Sequence, residues 1–236
     1  MVLVCSAYGQ RPSYPIVLGV SGGIAMGIGS SQLFEGYRQA TGLRSNDFNV
    51  PLTAGAVVFV DVGGLRLGAS SDVYFAQSLE RGTPQNAPQR VLEEDLRLTM
   101  MPVLFTVEWE PWREQFRTFV SAGVGAAFAR FQWYESVWSN GRQERWRINA
   151  DMRKTVPALR LAAGTYLFFD AQQVASLHGG VVLSLSYTYS PVRVPALRSY
   201  VDVSSPSTQQ WNDNILVGGS ALMLSVGVRF QIGRHS

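Results

Sequence analysis

Apolar and polar residues alternate with a period of two over most of this chain, which is the repeat of a β-strand with one face in apolar surroundings. Near the C-terminus Leu216, Leu222, Leu224, Val226, Val228, Phe230 and Ile232 share one parity, while Ser225, Gly227, Arg229 and Gln231 share the other. Val181, Leu183, Leu185, Tyr187 and Tyr189 alternate in the same way with Val182, Ser184, Ser186 and Thr188. Leu159, Leu161, Ala163, Thr165 and Leu167 alternate with Arg160, Ala162, Gly164 and Tyr166. Eight strands are predicted: Ile16–Ser30, Leu52–Val62, Leu65–Gln77, Leu92–Glu110, Phe116–Tyr134, Thr155–Phe169, Gly180–Ser190 and Ile215–Gly233. Most are longer than the five or six residues usual in soluble sheets, and match the 9–11 that a tilted strand needs to cross a bilayer.

The connections sort by length. Segments 31–51, 78–91, 135–154 and 191–214 are long; Gly63-Gly64, Pro111–Gln115 and Asp170–His178 are short. Such alternation is what an up-and-down barrel with short periplasmic turns and long outer loops requires. The fourth strand breaks parity near Pro102, which predicts a bulge there. Aromatic residues gather at strand ends. Trp109, Trp112, Phe116, Phe119, Phe168, Phe169 and Phe230 fall at one level; Tyr74, Phe75, Phe131, Trp133, Tyr134, Tyr187 and Tyr189 fall at the other. Aromatic girdles at lipid–water boundaries have this arrangement. Segment 31–42 has helical spacing, with Leu33, Phe34, Tyr37 and Ala40 on one face, and is expected as a helix in the first loop.

Composition narrows the class. Among 236 residues, 46% are hydrophobic and only 16% charged, below the usual quarter. Mean hydropathy is +0.04, and no apolar run reaches the roughly 18 residues of a spanning helix. The net charge of +3 comes without a Lys/Arg-rich run, so nucleic acid is not an expected partner. Cys5 is the single cysteine, which rules out an internal disulfide. MVLVCSAYGQ has the form of the tail of a secretory signal, with Ala7 and Gly9 placed for cleavage before Gln10. Residues 1–9 are thus expected as a signal remnant and 10–236 as one outer-membrane barrel domain.

Candidate chemistry is sparse. His178 and His235 are the two histidines, and neither has a serine or cysteine at triad spacing. No catalytic, metal-binding or cofactor-binding residues are expected. The inward parity instead carries small residues, among them Gly19, Gly123, Gly125, Ser184, Ser186, Ser225 and Gly227. Charges are predicted to fill the space they leave: Arg66, Asp72, Arg97, Glu108, Arg117, Arg160 and Arg229, with Asp61 and Glu110. An eight-stranded barrel holds side chains and little else, and buried charges require partners, so a paired lumen network is expected. In the third outer loop, Trp138, Arg142, Arg145, Trp146 and Arg147, followed by Arg153 and Lys154, are candidates for recognition.

The glycine-rich opening strand IVLGVSGGIAMGIG, the GG turn and the closing strand LMLSVGVRFQIG resemble the eight-stranded outer-membrane β-barrel superfamily typified by OmpA, OmpX and OmpW. The resemblance spans roughly residues 15–233. It implies a Gram-negative outer-membrane location, insertion by the barrel-assembly machinery, and contact with outer-membrane lipid and lipopolysaccharide. The last strand departs from the assembly signal of that superfamily, because QIGRHS follows Phe230. The resemblance leaves open a structural or surface-interaction barrel, a narrow channel or transporter for small hydrophobic molecules, and a lipid A-modifying enzyme. A soluble lipocalin-like carrier is the alternative outside the superfamily.

Overall fold

The structure is a computed structural model that describes residues 15–28, 31–41, 43, 48, 50–84, 88–112, 117–168, 177–194 and 215–232. Residues 1–9, where a signal remnant was expected, lie outside the described residues, as do the tail with His235 and the side chain of His178.

Eight antiparallel strands close into a barrel. They are β1 (Ile16–Ile28), β2 (Leu52–Val62), β3 (Leu65–Gly82), β4 (Arg90–Trp112), β5 (Arg117–Ser139), β6 (Arg142–Phe168), β7 (Leu177–Tyr189) and β10 (Ser220–Ile232). Each pairs with its neighbour in sequence, and β1 closes the ring against β10, Ile16 opposite Ile232 and Ile28 opposite Ser220. Closure leaves no free edge where all eight strands run side by side, whereas residues 142–158 of β6 pair with β5 alone. A helix, α1 (Ser31–Thr41), follows β1, and two short strands, β8 (Val192–Val194) and β9 (Ile215–Gly218), pair with each other apart from the ring.

The barrel is uneven in height. β4, β5 and β6 run for 23, 23 and 27 residues, whereas β1, β7 and β10 have 13 each. The stretch expected as a long third loop is therefore mostly a hairpin that continues β5 and β6. Its turn is Asn140-Gly141, both with positive φ, the signature of a two-residue type I′ hairpin. The strand expected over Ile215–Gly233 is also split. Gly218 and Gly219 take φ of 116° and 102°, conformations that side chains resist, and this kink frees β9 from the wall.

Pro102 does not produce the expected bulge. The β3–β4 register is the same on both sides of it, Ser71 opposite Val103 and Tyr74 opposite Met100, with only the rungs between them missing, as a residue without an N–H dictates. The irregularity on β4 lies instead between Trp109 and Trp112.

Parity along the strands sorts the two faces. Leu18, Val20, Val58, Phe105, Val124, Leu161, Leu185, Leu224 and Val226 are exposed on the outer wall. Inward-facing residues of the outer half of the barrel form one buried apolar cluster, including Leu96, Leu98, Met100, Phe131 and Trp133. Tyr74, Phe131 and Trp133 therefore belong to the interior and not to a girdle, as does Phe119 near the opposite end. Phe75, Trp109, Tyr187, Tyr189 and Phe230 do face outward.

Candidate functional site

The interior has two floors. At the end with the short turns, Arg66 on β3 is the hub of a charged network. Its Nη1 lies 2.8 Å from Glu108 Oε1, its Nη2 2.9 Å from Glu110 Oε2, and its Nε 3.3 Å from Asp61 Oδ2. The same guanidinium donates to the Tyr166 hydroxyl at 2.7 Å and lies 4.9 Å from that ring's centroid. Arg229 on β10 reaches across the barrel to Glu108 Oε2 on β4, at 2.7 Å. β10 and β4 stand opposite each other in the ring, so this contact ties together walls that share no hydrogen-bond ladder. Arg229 also donates to Tyr166, which in turn donates to Glu108, and its guanidinium packs near the rings of Phe59 and Phe119, 5.5 and 5.1 Å from their centroids.

Two further pairs flank this hub. Arg117 Nε is 2.9 Å from Glu110 Oε1. Arg160 pairs with Asp72 and donates to Ser186 Oγ at 3.1 Å. Arg66, Arg117, Arg160 and Arg229 thus meet Asp61, Asp72, Glu108 and Glu110, an even charge balance. Such balance is needed because an unpaired ion away from water costs several kcal/mol. Glycines make room for the long side chains. A Cβ on Gly19 would sit 2.6 Å from Arg229 Cγ, and one on Gly55 would sit 2.1 Å from Asp72 Oδ1.

Above this network lies a polar cavity of about 40 Å³, bordered by Ser21, Ser70, Thr106, Ser121, Asp72 and Arg160. It has space for a few water molecules. Beyond it the interior becomes apolar. α1 inserts Leu33 and Tyr37, both fully buried, into the cluster, and Tyr37 meets Trp133 edge-on at 6.2 Å. β8 and β9 add Val192, Val194 and Val217. The expected loop helix is thus part of the core. Gln32 accepts from the Leu216 backbone N–H at 3.2 Å and links α1 to β9.

Two carboxylates stand within this outer floor. Glu94 and Glu135 are cross-strand neighbours and both are buried. Trp133 Nε1 donates to Glu94. Burial, and then the adjacent Glu135 carboxyl, push Glu94 well above the ordinary carboxylate range, because both disfavour the charged form.

Arg97 is not in the network. With no bulge at Pro102, the parity of β4 is unbroken, and Arg97 lies on the outer wall between the buried Leu96 and Leu98. There its Nε donates to Asp95 Oδ1 at 3.1 Å, and its guanidinium lies 5.4 Å from the Tyr134 ring centroid. The recognition candidates Trp138, Arg142, Arg145, Trp146 and Arg147 all sit on the β5–β6 hairpin. Trp146 stacks on Tyr134 with centroids 6.0 Å apart, and Trp138 Nε1 donates to Glu93 Oε2 at 3.0 Å. Arg142 and Arg145 are exposed and Arg147 is half-buried opposite Glu135. Tyr166 was not singled out from the sequence, although its parity with Arg160 already placed it inside.

No protein-family model matches the chain, and no curated protein matches it. Solved structures do. A major outer membrane protein from Thermus thermophilus is 11% identical, with 92% of this chain and 99% of that one covered and a TM-score of 0.46. Neisserial surface protein A is 11% identical over 92% of this chain and 96% of that one, with a TM-score of 0.40. The N-terminal β-barrel domain of Pseudomonas aeruginosa OprF is 9% identical over 93% of this chain and 98% of that one, also with a TM-score of 0.40. Likenesses this distant decide nothing about function. The barrel itself rests on the closed pairing of its own strands.

Proposed function

We propose that this protein is an integral outer-membrane barrel with a structural or surface-interaction role, its interior closed by side chains. One observation carries the reading: the apolar outer wall is continuous and has a sharp upper limit. On β4 the outward residues Trp109, Val107, Phe105, Val103 and Met101 give way, past Thr99, to Arg97 and Asp95. On β5, Val120, Val124 and Phe128 give way to Arg130, and on β6, Leu167, Leu161 and Leu159 give way to Arg153 and Asp151. The stretch Trp109 to Met101, at about 3.3 Å per residue and a tilt of about 40°, rises roughly 20 Å. That approaches the band of about 25 Å found on lipid-facing barrels. A water-facing barrel would not expose a patch of this extent. The charged continuation of β3–β6 then stands outside the lipid.

The contents of the barrel support closure. Ion pairs bridge opposite walls at one end, and α1 with the β8–β9 pair fills the other. The test is migration in detergent gels before and after boiling, paired with planar-bilayer conductance. The expected result is a heat-modifiable band with no ion current. Steady single-channel current would favour the transport reading instead, and a chain dissolved without detergent would exclude the membrane altogether.

A further inference from the structure

The outer floor holds a row of acids apart from the network around Arg66. Along one rung of the sheet Glu80 on β3 stands opposite Glu94 on β4, Glu94 opposite Glu135 on β5, and Glu135 opposite Arg147 on β6. The four share the inward parity. The next inward rung toward the membrane is Ser78, Leu96, Trp133 and Ala150, all buried. Glu94 and Glu135 are 0% and 1% exposed. Like charges directly opposite each other destabilise a sheet, and burial adds the cost of taking each charge out of water. The cations nearest in register are Arg147, at the end of the rung, and Arg145, opposite Val137 one inward rung above. Three carboxyl groups against two guanidinium groups leave one negative charge too many, which one bound proton removes. Arg90, higher on β4, is engaged by Glu144, and Lys154 lies three inward rungs nearer the membrane.

α1 reaches this row from above. Leu33 and Tyr37 are fully buried. Tyr37 packs edge-on against Trp133, whose Nε1 donates to Glu94, and the Tyr37 hydroxyl acts on the Glu94 carboxyl directly. The other charges on the packed elements face away. Glu35 and Arg38 of α1 pair with each other on its exposed side, Arg193 of β8 is exposed, and Glu93 and Asp95 lie on the outward face of β4. β9 carries no charged residue.

We infer that α1 is a pH-sensitive plug, retained in the barrel mouth while the Glu80–Glu94–Glu135 row carries a proton and released as that proton leaves. Loss of the proton puts an uncompensated charge among Leu96, Trp133 and Tyr37. Water can hydrate that charge only when α1 lifts away, so deprotonation favours the open state by the difference in its cost between the two states. One proton released on opening makes the ratio of open to closed mouths rise by at most about tenfold per pH unit. The inference goes beyond the closed barrel proposed above while resting on it: the mouth is closed at low pH and opens as pH rises.

The test is backbone hydrogen exchange of the folded protein in detergent, read by mass spectrometry over residues 31–41 and normalised at each pH to the intrinsic exchange rate. A released helix of 11 residues is too short to persist in water, so undocking appears as lost protection. Protection of α1 is expected to fall as pH rises above the ordinary carboxylate range, by up to about tenfold per pH unit, while β5 and β10 keep theirs. Glu94→Gln cannot titrate and should keep α1 protected across the whole range. Glu135→Gln removes one like charge and should make the fall shallower. Protection of α1 in wild type that does not change with pH, or the same fall in Glu94→Gln, would overturn the plug's pH response. If Glu94→Gln yields no heat-modifiable band, Glu135→Gln decides: a fall as steep as that of wild type would overturn it. An α1 protected at every pH refutes the pH response alone, whereas an α1 unprotected at every pH refutes the closed interior with it.

Discussion

Glu108 is the residue whose removal the charged network should tolerate least. It is buried on β4, and both of its oxygens are engaged: Oε1 by Arg66 and Tyr166, Oε2 by Arg229. Arg66 keeps Asp61 and Glu110 when Glu108 is lost, but Glu108 is the one carboxylate paired with Arg229 among the described residues. Glu108→Ala therefore leaves the Arg229 guanidinium inside the barrel with the Tyr166 hydroxyl and three aromatic rings. Breaking a buried pair from one side costs about 3–5 kcal/mol. Arg229→Met should cost less, about 1.5–3 kcal/mol for the lost charged hydrogen bonds, because Glu108 retains Arg66. The double variant separates the causes. It removes the orphaned charge, so it should be more stable than Glu108→Ala alone, with a coupling of at least about 1.5 kcal/mol. The assay is urea unfolding of the barrel in lipid vesicles, followed by the fraction that keeps folded mobility on a cold gel. A cost for Glu108→Ala below about 0.5 kcal/mol, or strict additivity in the double variant, would refute the claim that these ion pairs brace opposite walls.

Other outcomes follow from the same structure. Leu224→Arg places a charge on the lipid-facing wall and should cost about 2–4 kcal/mol if near the bilayer centre, read by the same gel assay; a neutral result would contradict the outward parity of β10. Gly55→Ala drives a Cβ into Asp72 and should cost about 1–3 kcal/mol through overpacking, a loss less than additive with that of Asp72→Ala, which removes the clash but leaves Arg160 without its carboxylate; an unchanged unfolding midpoint for Gly55→Ala would argue against the tight approach of Asp72 to Gly55. Glu94 stands beyond the apolar belt, and its pKa is raised when folded. The unfolded chain releases that proton more readily, so stability should fall as pH rises above the ordinary carboxylate range. Glu94→Gln should flatten that slope; parallel pH profiles of the two proteins would count against a raised Glu94.

Much of the barrel is legible in the sequence because lipid on one face and side chains on the other impose a strict period of two. The parity of Leu159–Leu167 and of Leu222–Ile232 is sufficient to orient β6 and β10. The signal fails where the surroundings change. Near its tip the β5–β6 hairpin is solvated on both faces, so residues 142–149 lose alternation and read as loop, although Asn140-Gly141 marks the turn. Arg97 was misplaced for a specific reason. A bulge at Pro102 would have flipped every side chain on the outer-end side of it to the opposite face, and no bulge is present. Trp133 and Phe131 were assigned by height alone, since an aromatic residue at the boundary level satisfies either face; their parity with Leu96 and Leu98 across the β4–β5 ladder decides for the interior. The pairing of Arg66 with Glu108 and the engagement of Tyr166 depend on strands distant in sequence, which no local pattern encodes.

The most direct test compares neighbouring positions on β6 in vesicles. In a Cys5→Ser background, spin labels are placed through Leu161→Cys and Ala162→Cys, one on each face of the strand. The label at position 161 should be readily reached by oxygen dissolved in the bilayer and shielded from an aqueous nickel chelate, while the label at 162 should be immobilised and shielded from both. Free access of the nickel chelate to position 161 would mean that water covers the outer wall, and the account would fail.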